Sequence, residues 1–279
     1  MMNTPAKLGF GLLLQAVVLV AWLAGCTTSS TMILDPSDGA PPRQLDPDSI
    51  SDAVPRAEPI SRYGNPERYT VFGKDYRVMA NSQGYSERGI ASWYGTKFHG
   101  RRTSSGEPYD MYSMTAAHKT LPLPTYVRVR NLTNGRSAIV RVNDRGPFHG
   151  NRIIDLSYAA ATKLGILGKG TGLVEVVAID PRHPQAPPLV AKQSTGSGVT
   201  AAPSMFIQIG AFSSLHNANR LRQRLQLSLD QPIRISEGNL RGETLFRVQV
   251  GPLKDVEQSD QISRELAQLG HDQLHIVIE

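Results

Sequence analysis

Short runs in which apolar and polar residues alternate recur through the middle of the chain. Residues 90–94, 126–130, 137–142 and 173–179 form four such runs, with glycine-containing turns between them. An alternation with a period of two is typical of half-buried strands. Many short strands at close spacing predict a small β-barrel, and residues 157–164 predict one short helix within it.

The C-terminal part of the chain contains an internal repeat. Residues 206–210 (FIQIG) return as residues 247–251 (RVQVG), and each run leads into a segment with helical apolar spacing. The predicted order is βαββαβ, a four-stranded sheet with two helices on one face. Alternation directs Ile207, Ile209, Val248 and Val250 toward the helices. The opposite, open face is predicted to be a binding platform made of Phe206, Gln208, Phe212, Arg247 and Gln249.

The N-terminus has the pattern of an export signal. Lys7 precedes an apolar run over residues 8–23, and small residues lead to the single cysteine, Cys26. Leu23-Ala24-Gly25-Cys26 resembles the bacterial lipobox, which implies cleavage before Cys26 and acylation of its sulfur. Thr27, where an aspartate would signal retention, implies sorting to the outer membrane. One cysteine, used for lipid, excludes disulfides, cysteine catalysis and thiolate metal sites.

Composition suggests the domain boundaries. We predict a signal peptide over 1–25, a lipidated cysteine and flexible tether over 26–68, and a second linker over 181–203. The linkers separate a barrel domain with an N-terminal hairpin, residues 69–180, from a C-terminal domain, residues 204–279. The predicted fold is therefore mostly β followed by α+β.

The positive charge lies in the middle of the chain. The net charge is +6, whereas residues 88–180 carry 13 basic and 6 acidic residues and residues 203–279 carry 8 and 9. A basic segment fits an acidic polymer, anionic lipid or nucleic acid, or an ordinary solvated surface. Because the C-terminal domain is slightly acidic and the chain is exported, we expect no nucleic acid partner. No metal-binding, P-loop, dinucleotide or serine-hydrolase motif is present, so no metal or cofactor is predicted.

Two segments resemble known families. Residues 206–224 are similar to the start of the SPOR domain, a peptidoglycan-binding module of cell division. The barrel segment resembles the rare lipoprotein A family of septal lytic transglycosylases, through motifs at residues 89–95, 98–107, 115–122 and 142–148. The resemblance implies a six-stranded double-psi β-barrel. It also implies cleavage of glycan strands stripped of their peptide stems.

Lytic transglycosylases need a carboxyl group that gives and then takes a proton. Asp144, between a strand and Gly146-Pro147, is the first candidate, and in the family this aspartate is treated as the general acid/base. The alternative is a turn aspartate that bonds to its own backbone. Glu107 could raise the pKa of that acid or steady positive charge on the sugar. Its alternative is a solvated loop glutamate.

Further residues of these motifs are candidates for supporting roles. His118 could hydrogen-bond a carboxylate or the sugar, or only satisfy a structured turn. Lys119 and Arg145 could bind the lactyl carboxylate of muramic acid, or be surface charges. Trp93 and Tyr94 could stack on sugar rings, with core packing as the alternative.

The function predicted from the sequence is that of an outer-membrane lipoprotein facing the periplasm and enriched at the division septum. It would cleave MurNAc–GlcNAc bonds of peptide-stripped strands with 1,6-anhydroMurNAc formation, and division proteins are possible partners. Three alternatives stay open. These are a non-catalytic glycan binder like the expansins, a hydrolytic muramidase, and a septal scaffold.

Overall fold

The computed structural model describes residues 38–182, 203–240 and 242–279. The predicted signal peptide, Cys26 and most of the predicted second linker lie outside the described residues. Across the described ranges, no helix is long and apolar enough to cross a membrane.

The described chain begins with a segment that lies against the barrel, residues 38–67, which we call the strap. It was predicted to be part of a flexible tether, but hydrogen bonds hold it in place: Gly95 N to Asp38 Oδ1 at 3.0 Å, Ala53 N to Ile139 O at 3.1 Å, and Ser61 N to Leu123 O at 2.8 Å. Its polar residues supply donors and acceptors to barrel loops, a role that composition alone does not show. Strands β1 (Arg68–Val71) and β2 (Lys74–Arg77) follow as the expected antiparallel hairpin.

Six strands then close into a barrel, as predicted. They are β3 (Ser86–Tyr94), β4 (Thr115–His118), β5 (Thr125–Asn131), β6 (Ser137–Asp144), β7 (Arg152–Ser157) and β8 (Thr171–Ala178). Their order around the barrel is β3-β7-β4-β6-β5-β8. The β3–β7 and β4–β6 pairs are parallel, whereas the other four pairs are antiparallel. This is the double-psi barrel that the family resemblance implied.

The barrel interior is filled by alternate side chains of its strands. Ala116, Val142 and Leu156, which are neighbours on β4, β6 and β7, are completely buried in this core. Helix α1 (Tyr158–Leu164) packs three buried alanines against it. It begins at Ser157, whose hydroxyl accepts from Ala160 N at 3.1 Å. Short 3₁₀ turns occur at Pro47–Ser49, Thr96–Phe98 and Leu167–Lys169.

The C-terminal domain has the predicted βαββαβ order. Its elements are β9 (Met205–Phe212), α2 (Leu215–Gln226), β10 (Ile233–Leu240), β11 (Glu243–Leu253), α3 (Val256–Gln268) and β12 (His275–Ile278). The strands form one antiparallel sheet in the order β10-β11-β9-β12. Ile207, Val248 and Val250 are completely buried with apolar residues of both helices. Among the residues that the structure describes, no helix packs on the other face of the sheet.

Candidate active site

Asp144 is the last residue of β6, and its carboxylate is held by three donors on a single oxygen. Oδ1 accepts from Ser104 N at 2.8 Å, from Ser104 Oγ at 2.7 Å and from Arg145 N at 2.7 Å. Within the described residues, no hydrogen bond reaches Oδ2. Oδ1 is therefore fixed as an acceptor, and Oδ2 is the oxygen that remains to carry a proton.

The turn-aspartate alternative describes part of this arrangement, because the bond from Arg145 N is a local backbone contact. The two bonds from Ser104 are not local, since Ser104 lies 40 residues earlier in the chain. They fix the carboxylate against the loop that carries Glu107. Such orientation by a distant loop is what a reacting carboxyl group requires.

Glu107 is held by a cation. Arg141 donates to it from Nη1 at 2.8 Å and from Nη2 at 3.0 Å, and Asn143 Nδ2 donates at 3.0 Å. Partial burial by itself would raise the pKa of Glu107, but the hydrogen bonds from Arg141 and Asn143 outweigh it and hold the pKa below its usual value. Glu107 is thus a fixed negative charge at neutral pH, and its environment is unsuited to proton donation.

His118 is buried, with only 2% of its surface exposed. Nδ1 accepts from Thr120 N at 3.2 Å and Leu121 N at 3.0 Å, so the ring proton is on Nε2, which faces the Tyr85 hydroxyl at 2.7 Å. Burial, together with the charges of Arg145 and Lys119, lowers the pKa of His118 to about 3. The ring is neutral and engaged, so the structure supports the structured-turn alternative for this residue.

The two basic residues of the motifs also bond to the protein. The Arg145 guanidinium donates to the backbone oxygens of Gly64 at 2.8 Å, His118 at 3.1 Å and Leu121 at 2.5 Å. Lys119 Nζ donates to Arg152 O at 2.5 Å, and burial lowers the pKa of Lys119. Arg145 therefore ties the 118–121 loop to the strap, and its donors are not directed at a ligand.

The two aromatic candidates pack within the protein. Trp93 is partly buried and contacts Tyr158 edge-on, with ring centroids 6.2 Å apart. Tyr94 is buried and stacks on Tyr109 at 4.1 Å. Their placement matches core packing, the alternative weighed above all for Trp93.

Sequence reasoning missed a second aspartate near Asp144. In the strand register, Ala117 on β4 is paired with Asp144 on one side and with Asp155 on the other. Ser92 Oγ donates to Asp155, and burial raises the pKa of that carboxyl group. The sequence signal was present, because Asp155 interrupts the apolar positions Ile154 and Leu156 at the spacing that directs it out of the barrel core.

The face of the C-terminal sheet opposite the helices carries most of the residues predicted for it, but two of them are not available to a ligand, since Phe206 is only 4% and Gln249 only 1% exposed. The Arg234 guanidinium lies 3.4 Å above the Phe206 ring and donates to Gln249 Oε1 at 2.9 Å. Gln208 pairs with Gln249 across β9 and β11, and Arg247 shares this face by alternation. Sequence reasoning did not assign Arg234 to this face, because Arg234 lies on β10, between the two repeated segments from which the face was derived.

Phe212 was assigned to the wrong face. Val248 pairs with Gly210, whereas Gln249 pairs with Gln208, so β9 contains one extra residue at this point. Such a β-bulge reverses the alternation of side chains beyond it. Phe212 consequently lies on the helix side, packed against the domain core.

Comparisons with known proteins agree with this architecture. A family model described as "Lytic transglycolase" matches residues 86–176, and the SPOR domain model matches residues 201–278. Barrel and sheet together define a class, that of lytic transglycosylases with a C-terminal SPOR domain.

Relatives that match this chain over most of their own length carry the name "Endolytic peptidoglycan transglycosylase RlpA". The one from Vibrio cholerae is 41% identical over 260 residues, covering 93% of this chain and 94% of the relative. The one from Pseudomonas aeruginosa strain PAO1 is 40% identical over 276 residues, covering 81% and 79%. A crystal structure of the RlpA SPOR domain from Pseudomonas aeruginosa is 23% identical and covers 26% of this chain and 96% of that one, with a TM-score of 0.25. The chain belongs to the RlpA family of endolytic peptidoglycan transglycosylases.

Proposed function

We propose that this protein cleaves MurNAc–GlcNAc bonds within peptide-stripped glycan strands and leaves 1,6-anhydroMurNAc ends. The observation that carries the proposal is Asp144, which among the described residues has three donors on Oδ1 and none on Oδ2. It is a carboxyl group with one fixed oxygen and one oxygen left for proton transfer.

The reaction needs only this one group to move protons. Asp144, protonated on Oδ2, gives its proton to the glycosidic oxygen as the bond from that oxygen to the muramic C1 breaks. The muramic 6-hydroxyl oxygen then bonds to C1, and its proton passes to Asp144, which returns to its starting state without consuming water. Between the two steps the three donors on Oδ1 stabilise the carboxylate.

Glu107 would serve as a fixed charge. Its pairing with Arg141 keeps it ionised, so it can stabilise positive charge on the sugar ring without exchanging a proton. This division of roles matches the second of the two uses that the sequence left open for Glu107.

The C-terminal domain would supply affinity for the glycan. The face of its sheet opposite the helices carries the polar side chains of Gln208, Arg247 and Arg234, the last lying over the buried Phe206 ring, and such amide and guanidinium groups are suited to the hydroxyls of sugars. Two weak binding modules on one polymer gain affinity through effective concentration. We extend the proposal to the whole protein: anchored at Cys26 to the outer membrane, it faces the periplasm and acts at the septum in daughter-cell separation.

Asp155 gives one rival reading a specific basis. Two aspartates that flank Ala117 lie two strands apart, roughly 10 Å between Cα atoms at ordinary strand spacing. Hydrolases that invert use two well-separated carboxyl groups with water between them. Burial raises the pKa of Asp155 and favours its neutral form, which suits a general acid and opposes a role as base. We prefer the transglycosylase because relatives that match most of this chain carry that name.

The test uses the chain from residue 27 onward and purified sacculi, intact or stripped of peptides by an amidase. Mass spectrometry of released sugars should find anhydro ends from the stripped sacculi, and Asp144→Asn should release none while still binding. Reducing ends from the wild type would identify a hydrolase. Binding without release by both proteins would leave a glycan-binding lipoprotein.

A further inference from the structure

Glu58, on the strap, binds the same guanidinium as Glu107. Arg141 Nε donates to Glu58 Oε1 at 3.0 Å and Nη2 donates to Glu58 Oε2 at 2.7 Å. Nη2 also donates to Glu107, as does Nη1. The planar guanidinium is therefore clamped between two carboxylates, one on each edge.

Two members of this three-residue cluster are largely sheltered from water, whereas Glu107 is 45% exposed. The side chain of Arg141 is 19% exposed and that of Glu58 is 24% exposed. The hydrogen bond from Arg141 lowers the pKa of Glu58, so both carboxylates are ionised at neutral pH. Without Glu58, Arg141 Nε would lose its acceptor and Glu107 would be the one carboxylate left to hold the guanidinium, so the orientation of Arg141, and with it that of Glu107, depends on Glu58.

From Arg141 the contacts continue to the proposed acid/base. Glu107 accepts from Asn143 Nδ2 at 3.0 Å, and Asn143 is the neighbour of Asp144 on β6. The strap also meets the same loop through Ser61, whose hydroxyl donates to Ser105 O at 3.1 Å. One segment thus contacts both the cation that holds Glu107 and the loop that holds Asp144.

We propose that Glu58 is a positioning residue of the glycan-cleaving site, acting through Arg141 on Glu107. The strap is then part of the catalytic unit, although it precedes the segment, residues 86–176, that matches the transglycosylase model. The inference rests on the proposed function, because it assumes that Glu107 works in cleavage.

The first test compares Glu58→Gln with Glu67→Gln. Glu67 is a matched control on the same strap. Its side chain is 78% exposed and pairs with Arg77, which is 71% exposed, instead of with Arg141. With amidase-stripped glycan as substrate, Glu58→Gln should lower kcat about tenfold and leave KM nearly unchanged, as expected for a misplaced catalytic group. Glu67→Gln should match the wild type, and Trp93 fluorescence should show every variant folded at the assay temperature.

A second measurement is independent of turnover. Carboxyl-carbon NMR of the same proteins follows the pKa of Glu107, which the charge of Glu58 raises. Glu58→Gln should lower the pKa of Glu107, and Glu67→Gln should not change it. Wild-type kcat in Glu58→Gln, or an unchanged pKa of Glu107, would overturn the inference. A wild-type protein that releases no anhydro product would instead defeat the proposed function, and the NMR result would still decide whether Glu58 acts on Glu107.

Discussion

The burial of a neutral histidine makes the stability of the barrel depend on pH. His118 has a pKa of about 3 in the folded protein, against an unfolded value of about 6.5. Between these values the unfolded chain binds a proton that the folded chain does not. The free energy of unfolding must therefore fall as the pH falls below about 6.5.

The size of the effect follows from the two pKa values. From pH 7.5 to pH 5 the folded ring stays neutral, whereas the unfolded ring becomes almost fully protonated. At about 1.4 kcal/mol per pH unit, this linkage removes about 2 kcal/mol of stability. That is a large share of the stability of an ordinary domain.

Urea unfolding at the two pH values measures this directly. Once the signal peptide is removed, Trp93 is the single tryptophan, and it packs against Tyr158 within the barrel domain, so its fluorescence reports that domain. His118→Gln should be less stable than the wild type at pH 7.5 because it loses the buried ring. Since the substituted side chain does not titrate, its free energy of unfolding should fall by about 2 kcal/mol less on acidification. An equal loss in both proteins would refute the assignment of His118 as a buried neutral residue.

Two further predictions address the other charged and aromatic groups. Glu107→Gln should lower kcat and should reduce the free energy of unfolding by only about 1 kcal/mol, because the ion pair with Arg141 is partly exposed. The pKa of Glu107 is lower in the folded protein than in the unfolded chain, so the ion pair stabilises the wild type fully only above the usual glutamate pKa. Calorimetry should therefore show that the wild type loses this contribution as the pH falls below that value. Phe212→Ala should lower the stability of the C-terminal domain by about 2 kcal/mol without weakening binding to stripped sacculi, whereas Gln208→Ala should weaken binding without lowering stability. Equal binding losses in these two variants would contradict the assigned faces.

Elements that depend on local periodicity could be predicted from the sequence. Alternation located four of the six barrel strands but not β4 or β7, and the repeat located the βαββαβ domain, because side-chain burial in strands has a period of two. The family resemblance brought Asp144 and Glu107 onto the same site, and the structure places them on β6 and on the loop whose Ser104 binds Asp144.

Other features depend on long-range contacts that no local pattern encodes. The strap is rich in proline, serine and aspartate, a composition typical of flexible chain, yet Ser61 and Asn65 hydrogen-bond barrel residues 58 or more positions away. One extra residue in β9 reversed the face of Phe212. The motif context of His118 and Arg145 suggested ligand binding, whereas only the three-dimensional arrangement shows that their polar atoms are used internally.

The strap gives the two motif carboxylates opposite surroundings. A carboxyl group that must release and regain a proton cannot be held in an ion pair, whereas a fixed charge needs one. Arg145 is next to Asp144 in the chain, but strap residues Gly64 and Asn65, with the 118–121 backbone, take up its guanidinium donors. Asp144 is left with the neutral donors of Ser104 and a backbone amide. A third strap residue, Glu58, binds Arg141 on one edge while Arg141 donates to Glu107 from the other. On the proposed mechanism, contacts of the strap keep the proton-transferring Asp144 apart from the fixed charge of Glu107, so we expect changes at Glu58 to affect cleavage.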